Sequence, residues 1–162
     1  MNSQRLINEL GLVEHREGGY FSETFRNHEQ IDSEREGEKR SALTSIYYML
    51  TKDRPIGYFH RNLSSIVHYF HGGDPLTYLL IDNKGQLTRK MLGPALSKDC
   101  QPQLIVPGGT WKATILEKGD YGLLGEAVAP GFEYCDMTFA KAEDMSKAFP
   151  HLWGKIEPYV KS

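Results

Sequence analysis

Between residues 42 and 140 the apolar positions come in short runs rich in β-branched and aromatic side chains. Thr44–Leu50, Ser64–Phe70, Leu76–Ile81, Leu87–Leu92, Leu104–Val106, Trp111–Leu116, Tyr121–Ala127 and Glu133–Phe139 are each bounded by turn-forming residues. The punctuation includes Gly72-Gly73-Asp74-Pro75, Asp82-Asn83-Lys84-Gly85, Pro107-Gly108-Gly109 and Pro130-Gly131. Strands recurring at roughly 8–12-residue spacing with such signals between them predict an antiparallel sandwich or barrel. The flanks follow another period. Residues 1–11 predict a short helix, with Ser3 as its cap, Leu6, Ile7 and Leu10 on one face, and Gly11 at its left-handed end. Residues 141–162 predict a helical tail, with a break at Pro150. Residues 27–41 are almost entirely polar, with acids and bases interleaved, and predict a mobile surface loop.

Composition narrows the class. A chain of 162 residues suits one domain. With 19 basic and 21 acidic residues the net charge is −2, which lacks the basic excess of an electrostatic nucleic-acid binder. Apolar residues at 40% and charged residues at 25% fall in the globular range and exclude wholesale disorder. No apolar run approaches the length of a membrane span, and the first residues lack the apolar core of a signal peptide. A cytoplasmic protein with no membrane partner is expected. Cys100 and Cys135, with no CxxC, fit a reducing compartment and offer no cysteine zinc site.

The reactive side chains concentrate in Phe59–His71, which holds three of the six histidines. In a strand Ile66, His68 and Phe70 share one face and His71 lies on the other, so His68 points into a core or cavity and cannot chelate together with His71. A hairpin would bring His60 beside His68. Three readings stay open on these residues: hydrogen-bonded core histidines, a three-histidine metal site, or a metal-free polar pocket with His60 and His68 as candidate catalytic groups. Glu23 and Arg26 face opposite sides of a regular strand and pair only across a turn. Trp111 suits core packing or the floor of a ligand pocket.

The stretch from His60 to Gly73, together with Pro107-Gly108-Gly109-Thr110-Trp111-Lys112, resembles the two motifs of the cupin superfamily. His60 matches the first histidine of that pattern, whereas Asn62, Ile66 and Lys112 stand where its other metal ligands belong. Ile has no lone pair to offer, and a Lys ammonium has none either. The chain is more closely similar to the cupin branch still described as a domain of unknown function, the fifth cupin family. That likeness rests on Glu17-Gly18-Gly19-Tyr20-Phe21, Thr44-Ser45-Ile46-Tyr47-Tyr48, Phe59-His60-Arg61, Gly73-Asp74-Pro75-Leu76 and Ala129-Pro130-Gly131-Phe132-Glu133-Tyr134, and spans about residues 4–140. Many members carry a Glu near position 66 and a Trp at 68, where this chain has Ile66 and His68.

The resemblance implies an all-β double-stranded β-helix (jelly-roll) barrel over residues 42–140, with short terminal helices, and a homodimer. It also implies a cavity lined by His60, Asn62, His68, Lys112, Tyr48, Trp111 and Glu133. Lys112 is costly to bury unpaired, so it is expected to find a carboxylate, with Glu133 or Asp136 as the candidate partner, or to attract an anionic ligand. The function expected is binding of a small polar or anionic metabolite with no metal or other cofactor. Alternatives are a metal-free epimerase or isomerase of a sugar-nucleotide-like substrate using a histidine base, a metalloenzyme recruiting His60, His68 and Glu133 or Asp136, and a packed structural barrel.

Overall fold

The computed structural model describes residues 2–95 and 97–162. The first helix, α1 (Ser3–Glu9), is capped by Asn2, whose side chain accepts from the Gln4 amide at 2.8 Å. The cap thus lies one residue before the Ser3 expected from the pattern. The strands are β1 (Val13–Glu14), β2 (Tyr20–Arg26), β3 (Gln30–Asp32), β4 (Lys39–Ser41), β5 (Thr44–Thr51), β6 (Ile56–Asn62) and β7 (Ser65–Gly73). They continue with β8 (Leu76–Ile81), β9 (Leu87–Leu92), β10 (Cys100–Gln101), β11 (Gln103–Val106), β12 (Trp111–Ile115), β13 (Tyr121–Ala129) and β14 (Met137–Phe139). Two six-stranded sheets result, in the orders β1-β2-β5-β13-β7-β11 and β10-β9-β8-β12-β6-β14. Their inner faces meet through Tyr48, Leu50, Leu104 and Leu124 from the first and Leu76, Tyr78, Leu80 and Leu92 from the second. This is the jelly-roll barrel.

Period-2 alternation decides what each strand sends inward. Along β12 Lys112 and Thr114 point into the barrel, while Trp111 and Ala113 join the outer layer. That layer is completed by α2 (Ala142–Ala148) and α3 (Trp153–Ile156), whose Met145 and Ile156 cover Phe59, Ile81 and Ala113. On the first sheet, α1 and the turn after it cover Met49 with Leu6 and Leu12. No helix among the described residues is long and apolar enough to cross a membrane.

Three local expectations change. The strand β6 escapes the pattern of apolar runs because Gly57 and His60-Arg61-Asn62 interrupt it. It does not form a hairpin with β7: the two lie in different sheets, so His60 and His68 come from opposite walls. The Glu133–Phe139 run splits into a 3-10 turn (Tyr134–Asp136) and the short β14.

Residues 27–41, expected as a mobile loop, contain the β3–β4 hairpin and bury a whole arginine. Arg40 donates to both oxygens of Asp136, at 2.8 and 2.7 Å, and to the carbonyls of Glu36 and Lys39. Arg35 adds bonds to Asp136 at 3.2 Å and Ser64 at 2.7 Å. A polar segment packs when every charge it buries finds a partner. The Arg40 bonds hold the Asp136 carboxyl below its ordinary range, with Arg35 assisting and burial opposing. A depressed acid stabilises the fold above its unfolded value and loses that contribution as pH falls. Asp136→Asn is therefore expected to lower Tm at neutral pH and to flatten the loss of stability below about pH 4; an unchanged acid limb in thermal melts would contradict this.

Candidate functional site

The barrel interior changes character halfway along its strands. On β5 the inward residues run Thr44, Ile46, Tyr48, Leu50; on β7, Ile66, His68, Phe70; on β13, Val128, Glu126, Leu124. Leu50, Phe70 and Leu124 belong to the apolar end. The opposite end is a cavity of about 150 Å³ bounded by Thr44, Ile46, Ile66 and Val128, with His15, Glu17, His60, Asn62 and Glu126 as polar groups. Between the two ends lies a layer of buried charge.

Half of that layer centres on Glu17. The turn Glu17-Gly18-Gly19 passes so close to β6 that a Cβ on Gly18 would collide with the Ile56 carbonyl, and both glycines have positive φ. Such an approach requires glycine. It sets Glu17 Oε2 at 2.8 Å from His60 Nε2, with Glu17 6% exposed and His60 2%. The other ring nitrogen, Nδ1, lies 2.8 Å from the Tyr58 carbonyl, which only accepts. His60 thus donates from both nitrogens, and neither presents a lone pair to the cavity. Burial alone would raise the Glu17 pKa; the charges of His60 and His15, the hydrogen bond from His60 and the charge of Lys112 outweigh it and hold the pKa at about 2. His15 accepts from the Glu17 amide through Nδ1 at 3.1 Å, and burial lowers its pKa.

The other half joins the two walls. Lys112 Nζ, arriving from β12, is 3.7 Å from Glu126 Oε1 and 3.3 Å from His68 Nε2. His68 Nδ1 lies 3.0 Å from Tyr78 Oη and 3.4 Å from Glu126 Oε1. Burial, reinforced by Lys112 and His60, pushes the His68 pKa well below its ordinary value. Burial raises Glu126, and Lys112 opposes it.

The partner of Lys112 is thus Glu126, not Glu133 or Asp136. Those two are engaged elsewhere: Asp136 by the hairpin arginines, and Glu133 by Arg26 at 2.9 Å. A bulge between Glu23 and Phe25 lets Glu23 and Arg26 meet in two bonds of 2.9 and 2.8 Å at the cavity mouth, where a regular strand would separate them. Of the candidates, His60, Asn62 and Glu133 border the cavity, while His68 and Lys112 form the buried layer beside Glu126. Tyr48 is buried with its hydroxyl donating to the Gly18 carbonyl at 2.8 Å. Trp111 faces the outer layer beneath the Arg61 guanidinium, 4.6 Å from its ring centre, and so does not floor the pocket. His15, Glu17 and Glu126 were missed as site residues; an acid between Leu124 and Val128 on an inward face was the available signal for Glu126.

Asn62 is 8% exposed, and its buried Oδ1 has no hydrogen-bond partner among the described residues. Among those residues, no group of three or more His, Cys, Asp or Glu side chains is arranged to hold a metal ion. The two cavity glutamates are expected to titrate on opposite sides of the ordinary glutamate value, Glu17 below it and Glu126 above. Carboxyl-detected NMR across the pH range checks this, and coincident titrations would contradict it.

A profile described as "Cupin superfamily (DUF985)" matches residues 4–140. An uncharacterized protein of Saccharomyces cerevisiae is 40% identical over 164 residues, covering 93% of this chain and 80% of its own length. A hypothetical protein from Leishmania major superposes over the whole of both chains at TM-score 0.92 and 28% identity. A Shewanella oneidensis protein does so at TM-score 0.90 and 28% identity, over 99% of this chain and 98% of its own. The match extends from α1 to the strand beyond the Arg40–Asp136 pair, and with the jelly-roll topology it shows that the chain belongs to the DUF985 family of the cupin superfamily.

Proposed function

We propose that this cupin binds a small, non-anionic, hydroxyl- or amine-bearing metabolite in the barrel cavity without a metal. The observation that carries the reading is the orphaned Asn62 Oδ1. A buried acceptor left unpaired costs roughly 1–3 kcal/mol, and a ligand donor in the cavity would satisfy it. Glu17 and Glu126 add acceptors to the same space, and Ile46, Ile66 and Val128 supply an apolar wall. The nearby cations are already engaged, Arg26 by Glu23 and Glu133 and Lys112 by Glu126. Donors thus fit the cavity better than the anion that the sequence left open. The volume of about 150 Å³ lies below the ~300–1,000 Å³ of drug-sized sites, which favours a compact ligand over a whole sugar nucleotide.

The donor set does not suit a resident metal. Both His60 nitrogens are occupied by Glu17 and Tyr58, and Asn62, Ile66 and Lys112 hold the remaining positions of the cupin pattern. A second reading, proton-transfer catalysis, is favoured by Glu126, a cavity-lining carboxyl whose pKa burial raises. Buried acids and bases of this kind are the usual means of moving protons near neutral pH. The homodimer is supported by exposed Ile105 on the edge strand β11, beside Tyr69 on the outer face of β7.

A thermal-shift screen should show stabilisation by small polyols, sugars or amines rather than by phosphates or dicarboxylates. At a hundred times Kd a ligand adds about 2.7 kcal/mol, a Tm rise of roughly 5–10 °C for a chain of this size. Asn62→Leu is expected to fold at least as stably as the wild type and to lose that response. Stabilisation by anions alone, or an undiminished response in Asn62→Leu, would contradict the proposal.

A further inference from the structure

Lys112, His68 and Glu126 are 3%, 0% and 7% exposed, and they meet one another beside the cavity that Glu126 also borders. An ammonium has three donors and no lone pair. With Lys112 Nζ 3.3 Å from His68 Nε2, that nitrogen must present its bare lone pair, and the ring proton sits on Nδ1, directed at Tyr78 Oη. Beside it, Glu126 Oε1 faces the same ammonium. The ammonium is thus flanked by Nε2 at 3.3 Å and by Oε1 at 3.7 Å, with Oε1 also 3.4 Å from the protonated Nδ1. An imidazole lone pair and a carboxylate are both donors suited to a transition-metal ion. Here they flank a cation carried on the chain. The strands explain the arrangement: Glu126 and His68 are register partners on β13 and β7, and Lys112 reaches them from β12 in the facing sheet.

We propose that Lys112 is a built-in cation occupying a latent metal position between His68 and Glu126, and that it keeps divalent ions out of the barrel. This goes beyond the ligand reading and does not depend on it, because its test uses no metabolite. Its consequence is a gain of function. Lys112→His removes the resident charge and adds a third donor near the other two.

The experiment equilibrates the wild type, Lys112→His and Lys112→His/His68→Ala with Zn²⁺ alone, desalts them, and measures retained zinc and Tm. The wild type is expected to retain under about a tenth of an ion per chain, and Lys112→His close to one with a raised Tm. Adding His68→Ala should cut retention about tenfold. Near-stoichiometric zinc in the wild type would overturn the proposal, as would a folded Lys112→His that retains none. If Lys112→His does not fold, Lys112→Met and Lys112→Met/Glu126→Gln decide by denaturant titration. Removing the stranded carboxylate should recover at least about tenfold in the folding equilibrium constant; a double variant no more stable than the single one would overturn it.

Discussion

A charge placed inside a barrel must bring its partner with it, and the interior of this protein is organised by that constraint. Isolated burial of a carboxylate or an ammonium costs several kcal/mol per ion even after relaxation. The chain meets this cost with two compensated sets, Glu17 with His60 and Lys112 with Glu126 and His68. Both sets span between elements. Glu17 comes from a glycine turn pressed against β6, and Lys112 reaches across from one sheet to the other. Breaking either set strands a buried charge, so these contacts tie the two walls together as well as shaping the site.

The cavity is what remains once those pairs have formed. Its polar surface consists mainly of acceptors, because the donors of His60, Lys112 and Arg26 are consumed internally. Asn62 completes the set with an oxygen that no described residue satisfies. Such a group is unfavourable for folding alone and makes sense where something else supplies the donor. The mouth is framed by Arg26 between Glu23 and Glu133, an exposed cluster whose bonds weaken with salt far more than those inside.

The strand content was legible because antiparallel sheets facing water on one side alternate visibly, and that alternation also places His68 inside and His71 outside. The same rule separates Trp111 from Lys112, since adjacent residues on a strand cannot both face the cavity. Pairing was harder to read. That Lys112 needs a carboxylate follows from its burial, but Glu126 lies in a run that reads as apolar, while Glu133 and Asp136 look available until Arg26 and Arg40 claim them. Arg40 itself was hidden in a segment whose polarity suggested solvent. His60 and His68, eight residues apart, suggested a hairpin, whereas the chain crosses between sheets at Leu63-Ser64, which local sequence does not encode. The resemblance to the DUF985 cupins supplied the fold that joins these pieces, and no reaction.

The central claim, that interior charges are internally compensated with fixed hydrogen-bond directions, is tested most directly by the protonation of two imidazoles. Long-range proton–nitrogen NMR at neutral pH distinguishes the tautomers of His60 and His68. The account predicts His60 protonated on both nitrogens, and His68 protonated on Nδ1 with Nε2 bare towards the Lys112 ammonium. A proton on His68 Nε2 would contradict it, because an ammonium cannot accept that bond, and the compensated core described here would not exist.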